Sequence, residues 1–350
     1  MITIKTRRYI MIFSLAVFVI VATAILFYSQ GYSINRNLTL SRHGGLYIST
    51  PFSGSEIFIN NENEKKTGVL NGGLFKSNLK PGYYAALVAK DGFWPWAKTL
   101  EVKEGMVAEA RAIMVPENLK GEIIEKGNFS NLWSHNKSET IALKEKNGNF
   151  YSLSFYLPDK DIYLTADSNF TKQLLTFKDD ITALAWDKNY LIFKSEKGLI
   201  KASFNFSSNT ASAQYSSESF ENYSTVKYER LTDRDREKLW WNPPTNQVFV
   251  DWLEENGAPP YYICDENCDS LPLQIFQSKF TIQNIEFFPQ RKDVIIIAVG
   301  NGVYALEIDG RGGRLIYPIY KGKKPTFGLS NSTNYIYILD DSSLLKMYLK

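Results

Sequence analysis

The chain has 350 residues, 44% of them hydrophobic, and a formal net charge of +3 from 40 Lys and Arg against 37 Asp and Glu. Lys5, Arg7 and Arg8 fall in the first eight positions, which hold no acid, so everything beyond them is neutral overall. Nucleic-acid binding needs an excess of Lys and Arg to displace counterions from phosphates, and this balance excludes a general nucleic-acid partner.

The first predicted element is a helix over residues 9–28, YIMIFSLAVFVIVATAILFY, a run of 20 residues without a charge. At about 1.5 Å per residue it spans about 30 Å, the thickness of a bilayer's hydrocarbon core. Its many Leu, Ile, Val and Phe residues favour insertion by about 5 kcal/mol in total. Two alternatives stand beside the anchor. Ala22-Thr23-Ala24 has the form of a signal-peptide cleavage site, although cutting there would leave Ile25-Leu26-Phe27-Tyr28 as an apolar new terminus. A buried core helix is the other, and the eight-residue tail is too short to wrap one. More basic residues precede the helix than follow it at Arg36 and Arg42, so the expected topology is a cytoplasmic tail (1–8), a membrane helix (9–28), a linker (29–43) and an extracytoplasmic remainder.

Past Tyr28 the apolar pattern shifts to short runs of period two, punctuated by Gly, Asn, Asp and Pro, which reads as a mainly β chain. In residues 44–116 the pairs Leu46/Ile48, Ile57/Ile59, Ala86/Val88 (with Tyr84) and Leu100/Val102 each fall on one strand face. Turns are expected at Asn60-Asn61, Asn71-Gly72-Gly73, Lys80-Pro81-Gly82 and Asp91-Gly92. The stretches Pro51-Phe52-Ser53-Gly54-Ser55, Glu56–Asn60, Leu79–Tyr84 and Lys90-Asp91-Gly92-Phe93 together resemble the PEGA domain of bacterial envelope proteins. That resemblance covers about a fifth of the chain and implies a small, non-catalytic β-sandwich.

Residues 117–350 repeat a strand, polar turn, strand layout at Tyr190–Phe204, Val294–Ile308 and Tyr335–Leu349. Looser copies run over Thr140–Phe155, with its turn at Asn147-Gly148-Asn149, and Gln247–Cys264, with its turn at Glu255-Asn256-Gly257. An aromatic anchor precedes each: Trp133, Trp186, Trp241, Phe288 and Phe327. Spacings of roughly 40 to 55 residues with four short strands per unit are a propeller signature, and 117–350 then holds about five or more blades. Leu184–Asp187 and Ile285–Pro289 resemble the opening strands of WD40-like blades. Ring closure is expected from Glu122-Ile123-Ile124-Glu125 beside the last strand, an open array of β-sandwiches being the alternative. Ser207–Ser219 reads as a polar surface loop.

Little in this chain carries chemistry. The two histidines, His43 and His135, lie far apart, and no serine-hydrolase elbow, phosphate loop or zincin motif occurs, so no catalytic, cofactor or metal residue is assigned. Asp233-Arg234-Asp235-Arg236-Glu237 reads as a solvated turn or short helix rather than an active site, and Lys321-Gly322-Lys323-Lys324 as a solvated turn. Cys264 and Cys268 flank a polar turn within disulfide reach, and oxidation is the expected state outside a membrane; free thiols and a metal site are the alternatives. Calcium on Asp265, Glu266 and Asp269 lacks the spacing of a known loop. Trp94 and Trp96 bracket Pro95 and offer stacking faces for a sugar or a partner chain, with packing as the alternative. The reading is a single-pass, non-catalytic binding or scaffolding protein of the bacterial envelope, without cofactors. Its partners are the membrane through residues 9–28 and an envelope protein or cell-wall glycan. The rivals are a glycosidase with paired carboxylates on propeller loops and a lectin-like wall binder.

Overall fold

The structure is a computed structural model that describes residues 4–29, 31–34, 40–68, 72–134, 140–158, 160–164, 176–177, 182–187, 190–195, 198–205, 210–216, 228–232, 236–264, 271–330 and 334–349. Helix α1 (Ile4–Ser29) covers the apolar run, and none of its residues is buried against protein. It is long and apolar enough to cross a membrane. The helix ends at Ser29, and Gly31 follows with a φ of +82°, cheap only for glycine, its N–H closing on Tyr28 O at 3.0 Å.

By its contacts the chain divides into two compact units, Met1–Asp91 with Pro95–Met114, and Gly92–Trp94 with Val115–Lys350. In the first, α1 leads into a two-stranded ladder of β1 (Tyr32–Ile34) and β2 (Leu40–Arg42). Seven strands follow: β3 (Gly44–Ser49), β4 (Glu56–Ile59), β5 (Glu62–Lys66), β6 (Gly73–Leu79), β7 (Gly82–Ala89), β8 (Trp96–Val102) and β9 (Val107–Arg111). They form a three-stranded sheet β6-β3-β9, with β3 and β9 parallel, and a four-stranded sheet β5-β4-β7-β8. Period-two patterning decides what is buried: Leu46, Ile48, Ile57, Ile59, Ala86, Val88, Leu100 and Val102 are all in the core, while Tyr84 is half-buried.

The second unit continues with β10 (Gly121–Lys126), β11 (Phe129–Ser134), β12 (Ile141–Asn147), β13 (Phe150–Leu157), β14 (Ile162–Leu164) and β15 (Thr176–Phe177). A second group is β16 (Thr182–Asp187), β17 (Tyr190–Ser195), β18 (Gly198–Asn205) and β19 (Thr210–Ser216), and a third is β20 (Glu229–Leu231), β21 (Glu237–Asn242), β22 (Gln247–Trp252) and β23 (Leu273–Gln277). The chain ends with β24 (Ile282–Phe287), β25 (Val294–Val299), β26 (Gly302–Glu307), β27 (Ile316–Lys321), β28 (Thr326–Ser330), β29 (Tyr335–Asp340) and β30 (Ser343–Tyr348). The strands build a propeller-like succession of antiparallel sheets: β11 to β14 with β15 on β13, then β16 to β19, β20 to β23 and β24 to β27. The last sheet, β28-β29-β30, is completed by β10 from the start of the unit, with Glu122 opposite Lys346 and Ile123 opposite Leu345. The strand expected to close the fold therefore pairs as the sequence suggested.

Buried aliphatic and aromatic side chains fill the spaces between neighbouring sheets. Ala142, Leu153 and Phe155 pack on Leu191, Phe193 and Ile200. Leu239, Val248 and Ile275 pack on Ile285, Ile297 and Leu306, and Tyr337, Leu339 and Leu344 pack on Phe129, Ile141 and Tyr156. The expected hairpins at 140–155, 190–204, 294–308 and 335–349 are the middle pairs of four of these sheets. One differs. The third sheet's middle pair is β21 with β22, so Trp241 sits on its second strand, and the chain after Trp252 runs as a loop where Gln247–Cys264 was expected to be a hairpin. The turn that matters there is Pro243–Asn246, with Asn246 at φ +49°, rather than Glu255-Asn256-Gly257.

Candidate functional site

The first strands of four sheets, β20, β24, β28 and β11, are tied side to side by polar groups. Arg230 on β20 donates from Nε to Glu286 Oε2 at 2.9 Å and from Nη2 to Asn284 Oδ1 at 3.1 Å, both acceptors lying on β24. Asn284 Nδ2 donates to Phe327 O on β28 at 2.9 Å, and Leu329 N on β28 donates to Ser134 Oγ on β11 at 3.1 Å. Glu286 is buried, and burial pushes its carboxyl above the ordinary carboxylate range despite Arg230 and the Phe287 N–H. Among the described residues its hydrogen-bond partners are that guanidinium and that N–H, with no second carboxylate.

A denser polar cluster joins one end of the third and fourth sheets. Glu237, the first residue of β21, is 3% exposed. Its Oε2 accepts from Thr232 Oγ1 at 2.5 Å and lies 3.5 Å from Lys292 Nζ, and its Oε1 accepts from Tyr262 OH at 3.1 Å. Burial, followed by the charge and hydrogen bond of Glu237 and the charge of Asp293, pushes the Tyr262 phenol far above its usual value. On either side of Lys292 the pairing repeats: Arg291 forks onto Asp293 at 2.8 and 2.5 Å, both side chains buried. Arg311 forks onto Asp309 at 3.0 Å on each arm and lies 4.6 Å from the Tyr261 ring centre. These side chains come from the β20–β21 turn, the loop after β22, the β24–β25 turn and the β26–β27 loop, all brought to one end by the up-and-down strand order.

The chemistry of this cluster follows from its pairing. Arg–carboxylate forks hold both partners in one geometry, and a carboxylate bonded by two hydroxyls and an ammonium is poorly placed to abstract or donate a proton. Lys292, with 41% of its side chain exposed, is the solvent-facing member of the Glu237 group. Among the described residues no group of three or more His, Cys, Asp or Glu lies together to hold a metal ion.

The residues singled out in the sequence are spread apart. His43 is buried in the first unit, its N–H on Gly31 O and its carbonyl accepting from Gly105 N. Trp96 is 1% exposed in that unit's core, so packing occupies its faces, whereas Trp94 is half-buried in the second unit with its N–H on Val115 O. Cys264 is half-buried and disulfide-bonded. His135, Cys268, Asp265, Glu266, Asp269 and residues 233–235 lie outside the described residues. The solvated-turn expectation for 233–237 fails at Glu237, whose carboxylate is buried at the centre of the polar cluster. Of the turn expected over Lys321–Lys324, Lys321 is the last residue of β27, and Gly322–Lys324 bend toward β28, held by Asp340, whose carboxylate accepts from Lys323 N, Lys324 N and Tyr320 OH at 3.0 to 3.1 Å. The cluster's members were hidden in the sequence because Glu237 meets Tyr262 across 25 positions and Lys292 across a sheet boundary.

No protein-family model matches the chain, and no curated protein sequence matches it. Among solved structures it is similar to the β-propeller domain of Cps50 (Swd1) from Myceliophteria thermophila, at 12% identity and a TM-score of 0.26 over 76% of this chain and 79% of that one. It is also similar to Hsv2 of Kluyveromyces lactis, at 8% identity and a TM-score of 0.25 over 73% and 67%. A third is a Trichoderma reesei protein of carbohydrate-active enzyme family AA12, at 7% identity and a TM-score of 0.34 over 67% and 97%. At these scores the overlays fix neither the sheet arrangement nor a site in this chain, which rest on its own ladders and contacts.

Proposed function

We propose that the protein is a single-pass membrane-anchored, extracytoplasmic binding or scaffolding protein of a bacterial cell envelope. In this reading α1 is the anchor, the first unit is a PEGA-like sandwich that serves as a stalk, and the second is a five-bladed propeller closed by β10 on β30. The observation that carries it is α1 itself, 26 residues of helix with no buried residue, ahead of units built from strands. The paired state of Glu237, Asp293 and Asp309 supports a platform rather than a catalyst. Cross-linking in native membranes tests the function: reproducible capture of an envelope protein through the second unit supports it. A chain that captures nothing yet cleaves an envelope glycan contradicts it.

A second reading, a carbohydrate-active enzyme, draws on Glu286, a carboxyl raised by burial as a proton donor needs to be. Under it, Glu286→Gln abolishes glycan cleavage; under the binding reading, neither wild type nor variant releases reducing ends.

A further inference from the structure

The first unit is polarised in a way that the anchor alone does not require. Beyond α1, its exposed large apolar side chains among the described residues are Tyr47, Phe75, Tyr83, Met106 and Val107. Tyr83 is the second residue of β7, opposite Glu101 near the end of β8; Met106 lies in the β8–β9 turn and Val107 opens β9. Those three mark the end of the unit at which β3 begins and α1 arrives. Phe75 extends the set: a Cβ on Gly45 would lie 3.2 Å from its ring and 3.3 Å from the Val107 side chain, so both lean over the start of β3. The opposite end carries Lys90, Asp91 and Arg111, while Lys80, Glu101, Lys103 and Glu104 lie around the apolar side chains at this end.

Backbone contacts join that end to the helix. Gly31 N bonds Tyr28 O, His43 N bonds Gly31 O at 2.8 Å, Gly105 N bonds His43 O at 3.1 Å, and Gly45 N bonds Met106 O at 2.9 Å. Met106 is therefore separated from the last turn of α1 by three hydrogen bonds in series. Gly44 permits the closest approach, since a Cβ there would stand 2.3 Å from Lys103 O and 2.8 Å from Met106 O. At the same junction the Phe27 and Tyr32 rings meet edge to face at 5.6 Å, and Arg42 lies 5.7 Å from the Tyr32 ring centre. Aromatic rings with nearby cations are the side chains that favour the headgroup layer of a bilayer.

We propose that this end of the first unit, with Tyr83, Met106, Val107 and Phe75 at its surface, is a lipid-contact surface that seats the unit in the headgroup layer of the membrane crossed by α1. The inference rests on the anchor reading, and commits to lipid because the patch is continuous with the lipid-exposed helix through its hydrogen bonds. Seated so, the stalk rises from the bilayer at a fixed end.

The test uses the full chain in phosphatidylcholine and phosphatidylglycerol vesicles, with an environment-sensitive dye on single cysteines in a Cys264→Ser, Cys268→Ser background. The labelled variants are Met106→Cys, Ser53→Cys at the opposite end, and Val19→Cys in α1. The expected result is blue-shifted emission at 106, quenched several-fold more by lipids brominated near the headgroup than at 53, with 19 quenched by lipids brominated deep in the chains. If 19 is quenched but 106 behaves like 53, the anchor stands and the seating is overturned. Blue-shifted emission at 106 without lipid quenching means a protein surface covers it and overturns the proposal. An unquenched label at 19 overturns both readings.

Discussion

Replacing Leu344 with Ala tests whether the last sheet is locked onto the first. Leu344 lies on β30 between β10 and β29, opposite Glu125 on one side and Leu339 on the other, and is fully buried. Its neighbours in the core include Phe129, Tyr156 and Tyr337, aromatic residues from two sheets. Removal of a buried Leu side chain costs about 2.7 to 5 kcal/mol, and large rings fixed on both sides resist collapse, so the upper part of that range, about 4 kcal/mol, is expected. Ile123→Ala, on the same ladder but 51% exposed, is the control at about 1 kcal/mol or less. With a urea m-value of about 2.5 kcal/mol/M, Leu344→Ala lowers the unfolding midpoint by about 1.5 M at unchanged slope. A shift no larger than that of Ile123→Ala would refute the packing of the closing sheet on the first.

Two further perturbations follow. A Cβ on Gly322 would lie 1.9 Å from Asp340 Oδ2, so Gly322→Ala displaces the carboxylate that holds the turn and costs about 2 to 4 kcal/mol in thermal unfolding. The same change on an Asp340→Ala background costs much less, and an equal cost on both backgrounds contradicts the clash. Glu286 has a carboxyl raised from 4.5, so it binds its proton more tightly when folded; its contribution is fully present below that value and is lost as pH rises through the folded pKa. Glu286→Gln removes this loss, and the difference in stability between wild type and variant falls with rising pH in that window; a difference that rises contradicts the assignment.

How much was legible in the sequence depended on turn chemistry. The hairpins at 190–204, 294–308 and 335–349 combine period-two runs with turns rich in Gly, Asn, Asp and Ser, and each is a strand pair in the structure. The same signals marked Leu46, Ile48, Ile57 and Ile59 as core. The third sheet is not legible in the same way because its turn starts at a Pro pair, while Glu255-Asn256-Gly257 has turn residues but leads into a loop rather than a strand. Glu237 escaped because it ends a run of alternating charge, and only the fold brings Thr232, Tyr262 and Lys292 around its carboxylate. Trp96 showed the opposite ambiguity, since one-sided aromatic spacing fits both a binding face and a core, and the core has it.

The central claim, a β-built platform held outside the membrane by α1, is tested most directly by adding protease to intact spheroplasts of cells expressing the full chain with a tag at its C-terminus. The expected result is that the tag is lost without lysis while a cytoplasmic marker survives, and that the remaining α1 fragment stays in the membrane after alkaline extraction. A tag protected until the cells are lysed, or a chain released whole into the medium, would contradict it.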